Sequence, residues 1–108
     1  MAVYTSLIML FFYHFIADYI LQSDTVAKYK NYHNPNEHVP WYYWMIAHAS
    51  IHAIGIYYVT GMIELAICEV ILHFLIDWGK CAKKYGIHTD QLFHILCKGG
   101  YIIWLLLV

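Results

Sequence analysis

The sequence predicts an all-α, polytopic membrane protein: an antiparallel four-transmembrane-helix bundle built as two helical hairpins. Three observations carry that prediction. Apolar residues make up 62% of the chain and charged residues 12%, against about 45–50% and about 25% in ordinary soluble domains. Four long apolar runs alternate with short polar connectors. Five of the six lysines (Lys28, Lys30, Lys80, Lys83 and Lys84) lie in or beside two of those connectors, and arginine is absent.

The four helices are expected at about 1–22, 41–61, 63–84 and 89–108 in a single domain of 108 residues. The first run, 1–21, is broken only by His14 and Asp18. The second, 41–62, follows Pro35 and Pro40, which suit a loop and a helix start. Gly61 marks a tight link into the third run, 63–78. The fourth is 91–108. A bilayer span takes about 20 residues, with a range of about 17–25, so the last two runs borrow a turn from their polar flanks. The connector 23–39, with Asp24, His33, Glu37 and His38, reads as solvated loop.

Four antiparallel spans put both lysine-bearing connectors on one side. By the positive-inside rule that side is the cytosol. The expected location is a bacterial inner membrane, with both termini outside and both polar loops cytosolic. Trp41, Trp44 and Trp78 would anchor the inner boundary, and Tyr57, Tyr58 and Trp104 the outer one. A net charge of −1 and the lack of a basic run exclude nucleic acid as a partner. Three scattered cysteines without a C-x-x-C spacing form no disulfide framework. No cleaved signal peptide is expected, because no Lys or Arg precedes the first apolar run.

The polar groups inside the runs are ordered. His14 and Asp18, His48 and His52, His73 and Asp77, and Asp90 and His94 are each spaced i,i+4, so each pair shares a helix face. At a rise of about 1.5 Å per residue, the three aspartates fall within about 6 Å of the inner boundary and the histidines roughly 7–16 Å deep. Reversal of chain direction swaps the order within a pair, and the sequence follows it: His-x-x-x-Asp in helices one and three, Asp-x-x-x-His in helix four. The expected result is an outer ring of Asp18, His48, Asp77 and Asp90 over an inner ring of His14, His52, His73 and His94. "HFIAD" and "HFLID" further suggest that one hairpin gave rise to two.

A buried aspartate costs about 2.5–3.5 kcal/mol at the centre of a span, so these groups must face one another and be neutralised. Carboxylates and imidazoles projecting from facing helices form a metal-ligand set. The expected ligands are Asp18, His48, His73, Asp77, Asp90 and His94. His14 and His52 are the candidates for a further ligand or general base, and Lys80 and Gln22 would orient an anionic group at the rim. With no soft ligands in the rings, one or two Zn, Mn or Fe ions fit best. The alternatives are a proton or ion path and a purely structural hydrogen-bonded network. One turn deeper, Glu69 and Lys98 are expected to pair.

"HFIADYILQSD", "HASIHA", "HFLIDWGK" and "DQLFH" together resemble the small bacterial and phage membrane proteins grouped as domain of unknown function 3307. The resemblance covers most of the chain, and Gln22, Lys80 and Gln91 fit the same pattern. That family label implies no activity. A looser likeness to LexA-regulated membrane-bound metal-dependent hydrolases implies metal-activated water attacking a phosphoester or ester.

The functional expectation is therefore a metal-dependent integral membrane hydrolase acting at the inner leaflet on a lipid head group or polyprenyl phosphate. Membrane lipid would be its partner. Self-association into a homo-oligomer is also expected, with Gly99-Gly100 permitting close helix contact. The alternatives are a proton or metal-ion transporter or channel, a small b-type cytochrome with histidine-ligated haem, and a non-enzymatic phage-type immunity or interaction protein.

Overall fold

The computed structural model describes residues 2–108. It is all-α, with five helices: α1 (Val3–Tyr19), α2 (Asp24–Tyr29), α3 (Trp41–Thr60), α4 (Ile63–Cys81) and α5 (Ile87–Leu107). The four long helices pack in a closed cycle, α1 on α3, α3 on α4, α4 on α5 and α5 back on α1, while α2 rests on α3. The assembly measures 45 × 25 × 22 Å.

Each long helix buries one face. The buried positions are Ser6, Leu10, His14 and Ala17 on α1, and Met45, His48, Ala49, His52, Ala53, Gly55 and Ile56 on α3. On α4 they include Leu65, Ala66, Glu69, His73 and Asp77, and on α5 Asp90, His94, Lys98, Tyr101 and Ile102. These i, i+3/i+4 steps trace single helical stripes. Every stripe is apolar at one end and ionisable at the other. The alternating chain directions bring the apolar ends together as a core of Leu10, Ile56, Leu65, Tyr101 and Ile102, where each fully buried aliphatic side chain contributes about 1.5–3 kcal/mol. The ionisable ends meet at the opposite half of the bundle.

Local chemistry sets the ends. Gly61 caps α3 in the left-handed region at φ 71°, where glycine carries no side-chain penalty, and α4 starts two residues later. Gly55 allows α1 and α3 to approach closely, since a Cβ there would lie 2.1 Å from the Tyr13 ring. The Tyr13 hydroxyl donates to the Ile51 carbonyl at 2.5 Å across that contact. Helix α2 is capped by Ser23, whose hydroxyl accepts from the Val26 amide at 3.2 Å. Asp24 in its first turn and Lys28 in its last complement the helix dipole.

Two expectations are corrected. The segment 23–39 is not wholly solvated loop: it contains α2 and delivers a buried lysine, Lys30. More fundamentally, among the described residues no helix is long and apolar enough to cross a membrane. Helix α1 has 17 residues. Helix α3 has 20 residues and no Asp, Glu, Lys or Arg, but Tyr, Trp and His dilute its apolar character. Helix α4 carries Glu64, Glu69, Asp77 and Lys80, and α5 carries Asp90 and Lys98 beside the polar side chains of His88, Thr89, Gln91 and His94. The four-transmembrane bundle is therefore contradicted. The inner-membrane, multi-pass location, with termini outside and loops in the cytosol, falls with it. The outer helix faces are nonetheless apolar, with Phe12, Ile54, Tyr58, Leu96 and Ile103 all exposed.

Candidate metal centre

Five histidines from four helices meet in the polar half of the bundle. The His52 and His73 ring centroids lie 3.9 Å apart, those of His73 and His94 4.3 Å, and those of His48 and His73 4.9 Å. His14 joins from α1, 5.1 Å from His94 and 5.3 Å from His52. All five are buried.

Asp18 is the hub. Its Oδ1 lies 3.2 Å from His48 Nε2, 3.0 Å from His52 Nε2 and 3.9 Å from His73 Nε2. Three imidazole nitrogens thus converge on one carboxylate oxygen. One donor atom from each of Asp18, His48, His52 and His73 lies within 4.8 Å of all the others. A tetrahedral ion with bonds of about 2.0–2.2 Å would separate its ligand atoms by about 3.3–3.6 Å, so the cluster is close to a coordination sphere. His73 is the most telling member. Neither of its ring nitrogens has a hydrogen-bond partner among the described residues, although the side chain is fully buried. An unpaired buried polar group costs about 1–3 kcal/mol, and a metal bond would remove that cost.

The electrostatics favour the ligand forms. Burial holds His73 well below the usual imidazole range, and the neighbouring imidazoles lower it further. Burial also lowers His52 to about 4, against the opposing hydrogen bond to Asp18. His14 is lowered by burial and by Lys98. These rings are neutral near pH 7, as ligation requires. Burial pushes the Asp18 carboxyl up, but hydrogen bonds from His48, His52 and Gln91 outweigh it and hold the group well below the ordinary carboxylate range. Asp18 is therefore an anion surrounded by imidazoles and an amide, with its side chain 10% exposed.

The remaining expected site residues divide. Asp77 comes to the cluster, with Oδ2 3.6 Å from His48 Nε2 and 3.9 Å from His73 Nε2. Its charge, however, is already matched by the ammonium groups of Lys30 and Lys80, the latter 3.2 Å from Oδ1. Burial would raise the Asp77 carboxyl, and the two lysines overcome that and lower it. Asp77 would thus be a weaker ligand than Asp18. Lys80 stands at the rim, 27% exposed, and also lies 3.9 Å from Asp90 Oδ2. Asp90 Oδ1 faces His94 Nε2 at 3.4 Å, and one donor atom from each of Asp18, Asp90 and His94 forms a second cluster. His14 Nε2 donates to Gln91 Oε1 at 2.9 Å and lies 3.5 Å from Asp18 Oδ2. Gln22 donates to the Asp18 main-chain carbonyl at 3.3 Å and so touches the hub's backbone rather than its carboxylate.

Glu69 and Lys98 pair as expected, at 2.7 Å. Tyr101 donates to the other Glu69 oxygen at 2.6 Å. Glu69 Oε1 also lies 3.5 Å from His73 Nδ1. With Lys98 and Tyr101 satisfying it, Glu69 suits orienting His73 better than holding an ion. Two contributors lie outside the expected ligand and catalytic set. Lys30 reaches the centre from a loop, which helical periodicity cannot show. Gln91 bridges Asp18 Oδ2 at 2.9 Å and Asp90 Oδ2 at 3.1 Å, and its place beside Asp90 in "DQLFH" was the available signal. Among the described residues cysteine does not join the ligand clusters: all three cysteines are free, and Cys81 lies 4.0 Å from Asp77 Oδ1.

No curated protein and no solved structure matches the chain. The likeness to LexA-regulated hydrolases, and the hydrolytic chemistry it implied, therefore find no support among known proteins. The sequence profile of a family described as protein of unknown function (DUF3307) matches residues 6–106. A match over nearly the whole chain, through every helix that builds the centre, makes this protein a member of the DUF3307 family.

Proposed function

We propose that this protein binds a divalent cation at Asp18, His48, His52 and His73 and uses it to hydrolyse a phosphoester or ester. The single observation that carries the reading is the convergence of three buried Nε2 atoms on Asp18 Oδ1. An His₃Asp set of hard and borderline donors fits Zn, and also Mn or Fe. A cation held there lowers the pKa of a bound water toward about 7.

The chain's own residues supply the rest. Asp18 reaches the surface at the end of the bundle. Lys80 stands beside it, where its ammonium would attract and orient an anionic substrate. The carboxylates of Asp77 and Asp90 hold Lys80 against the rim and raise its pKa despite burial, so it stays charged. His14, neutral and donating from Nε2 to Gln91, keeps Nδ1 unpartnered among the described residues and is a candidate proton acceptor outside the proposed ligands. The exposed apolar helix faces support self-association with a second copy of the chain, since large apolar patches mark interaction surfaces.

The test combines metal content with turnover. Purified protein should carry a divalent ion, lose it to a chelator, and cleave a generic aryl phosphate only when reloaded. His73→Gln should lose both the ion and the activity. A loaded protein inert toward aryl phosphates and esters alike would remove the hydrolytic part. A protein that binds no divalent ion would remove the whole reading.

A further inference from the structure

Asp18 presents two oxygens to two different environments. Oδ1 faces His48, His52 and His73. Oδ2 faces the other side, toward Gln91 Nε2 at 2.9 Å and His14 Nε2 at 3.5 Å. On that second side stand Asp90 and His94 from α5, each with a donor atom within 4.8 Å of the other and of Asp18.

The α5 side has unmet needs of its own. Asp90 is wholly buried, and its Oδ1 has no hydrogen-bond partner among the described residues. Its Oδ2 is the oxygen that receives Gln91 and approaches Lys80. The free oxygen is therefore the one aimed at His94 Nε2, 3.4 Å away. Two carboxylates, the largely buried Asp18 and the wholly buried Asp90, are separated by a single amide NH₂ group that donates to both. A neutral amide offers each only a partial positive charge, and the Lys80 ammonium, 3.9 Å from Asp90 Oδ2, leaves Oδ1 unpaired, so a cation between the two like charges would favour the fold. The Gln91 amide thus stands beside the place that suits a cation, and by rotating it would present its Oε1 as an additional oxygen donor.

We propose that Asp18 is a bridging carboxylate and that a second divalent cation binds between Asp18 Oδ2, Asp90 Oδ1 and His94 Nε2. This inference rests on the metal-binding reading of the first cluster and deepens it. Paired ions about 3.5–4 Å apart clamp the attacking and leaving oxygens of an in-line displacement at a phosphoester. A bridged pair with the Lys80 ammonium at the rim therefore favours phosphoesters over uncharged esters. Lys80, beside Asp90, lies on the side from which such an anion would approach.

The test is stoichiometry with Mn²⁺, read by elemental analysis after equilibrium dialysis and by electron paramagnetic resonance. The intact chain should hold two ions, with the spectrum of a magnetically coupled pair. Asp90→Asn and His94→Gln should each hold one ion and give an uncoupled spectrum, while helix content by circular dichroism stays unchanged. Using both variants keeps the test decisive should one fail to fold. His48→Gln, on the other side of Asp18, should also lose the coupling. One ion in the intact chain overturns the bridged pair and leaves the first site standing. Two ions with coupling retained in both α5 variants overturns the assigned ligands. No bound ion overturns the first site as well.

Discussion

Replacing Lys98 by Met removes the one ammonium group that meets Glu69 in the middle of the bundle. Both residues are 1% exposed, so water cannot replace the lost partner. The 2.7 Å contact to Glu69 Oε1 disappears, and the carboxylate keeps only the Tyr101 hydroxyl and the flank of His73. Met preserves the length and apolar packing of the lysine stem, so the change is mainly electrostatic. Breaking a buried pair by deleting one partner costs about 3–5 kcal/mol. At about 4 °C per kcal/mol for a chain of this size, thermal unfolding should fall by about 12–20 °C. The double variant Glu69→Gln, Lys98→Met removes both charges and keeps an acceptor for Tyr101. It should recover to within about 1–2 kcal/mol of the parent, because a neutral pair leaves no stranded charge. Reversible unfolding followed by far-ultraviolet circular dichroism measures all three. A loss under about 1 kcal/mol in Lys98→Met would show that no charge is left stranded and that the pair does not organise the bundle. A double variant no more stable than Lys98→Met would refute the coupling.

Three further outcomes are expected. Folded His52 is held near 4 by burial, whereas the unfolded chain takes up that proton near 6.5. Stability of the metal-free protein should therefore decline as pH falls from about 6.5 to about 4, by up to about 3 kcal/mol from this residue; denaturant midpoints that stay flat over that window would contradict the burial of a neutral ring. Gly55→Ala forces a methyl group against the Tyr13 ring and should cost about 1–3 kcal/mol, whereas Gly99→Ala, with open space around its Cβ, should be neutral or stabilising by up to about 1 kcal/mol; equal urea midpoints for the two would refute the close α1–α3 approach. Lys30→Met frees α2 from Asp77, so hydrogen exchange should accelerate across 24–29 while the protection of α4 persists; unchanged exchange would mean that the ion pair does not hold α2.

What the sequence made legible follows from helical geometry. The i,i+4 pairs of His14 with Asp18, His48 with His52, His73 with Asp77 and Asp90 with His94 have one reading in a helix, and alternating chain direction sends them to the same half of a bundle. The Glu69–Lys98 contact follows from the same ruler one turn further on. Lys30 was not legible by that route. It sits at the end of a six-residue helix with no apolar stripe, and nothing local says that the segment folds back over Asp77. The division of labour between Asp18 and Asp77 was hidden for the same reason, since it depends on which carboxylate the lysines reach. The membrane reading failed at the composition. The apolar count credits 11 Tyr and 4 Trp, whose hydroxyl and indole N–H groups favour interfaces over a hydrocarbon interior. The ionisable stripes inside α4 and α5 lower their apolar character further.

X-ray absorption at the zinc edge of the zinc-loaded protein tests the central claim most directly. The account predicts a first shell of nitrogen and oxygen only, at about 2.0–2.2 Å, with the outer-shell scattering of several imidazoles and its loss in His48→Gln, His73→Gln. A sulfur shell near about 2.3 Å, or a first shell without imidazole scattering, would place the ion elsewhere and contradict the assignment of Asp18, His48, His52 and His73 as its ligands.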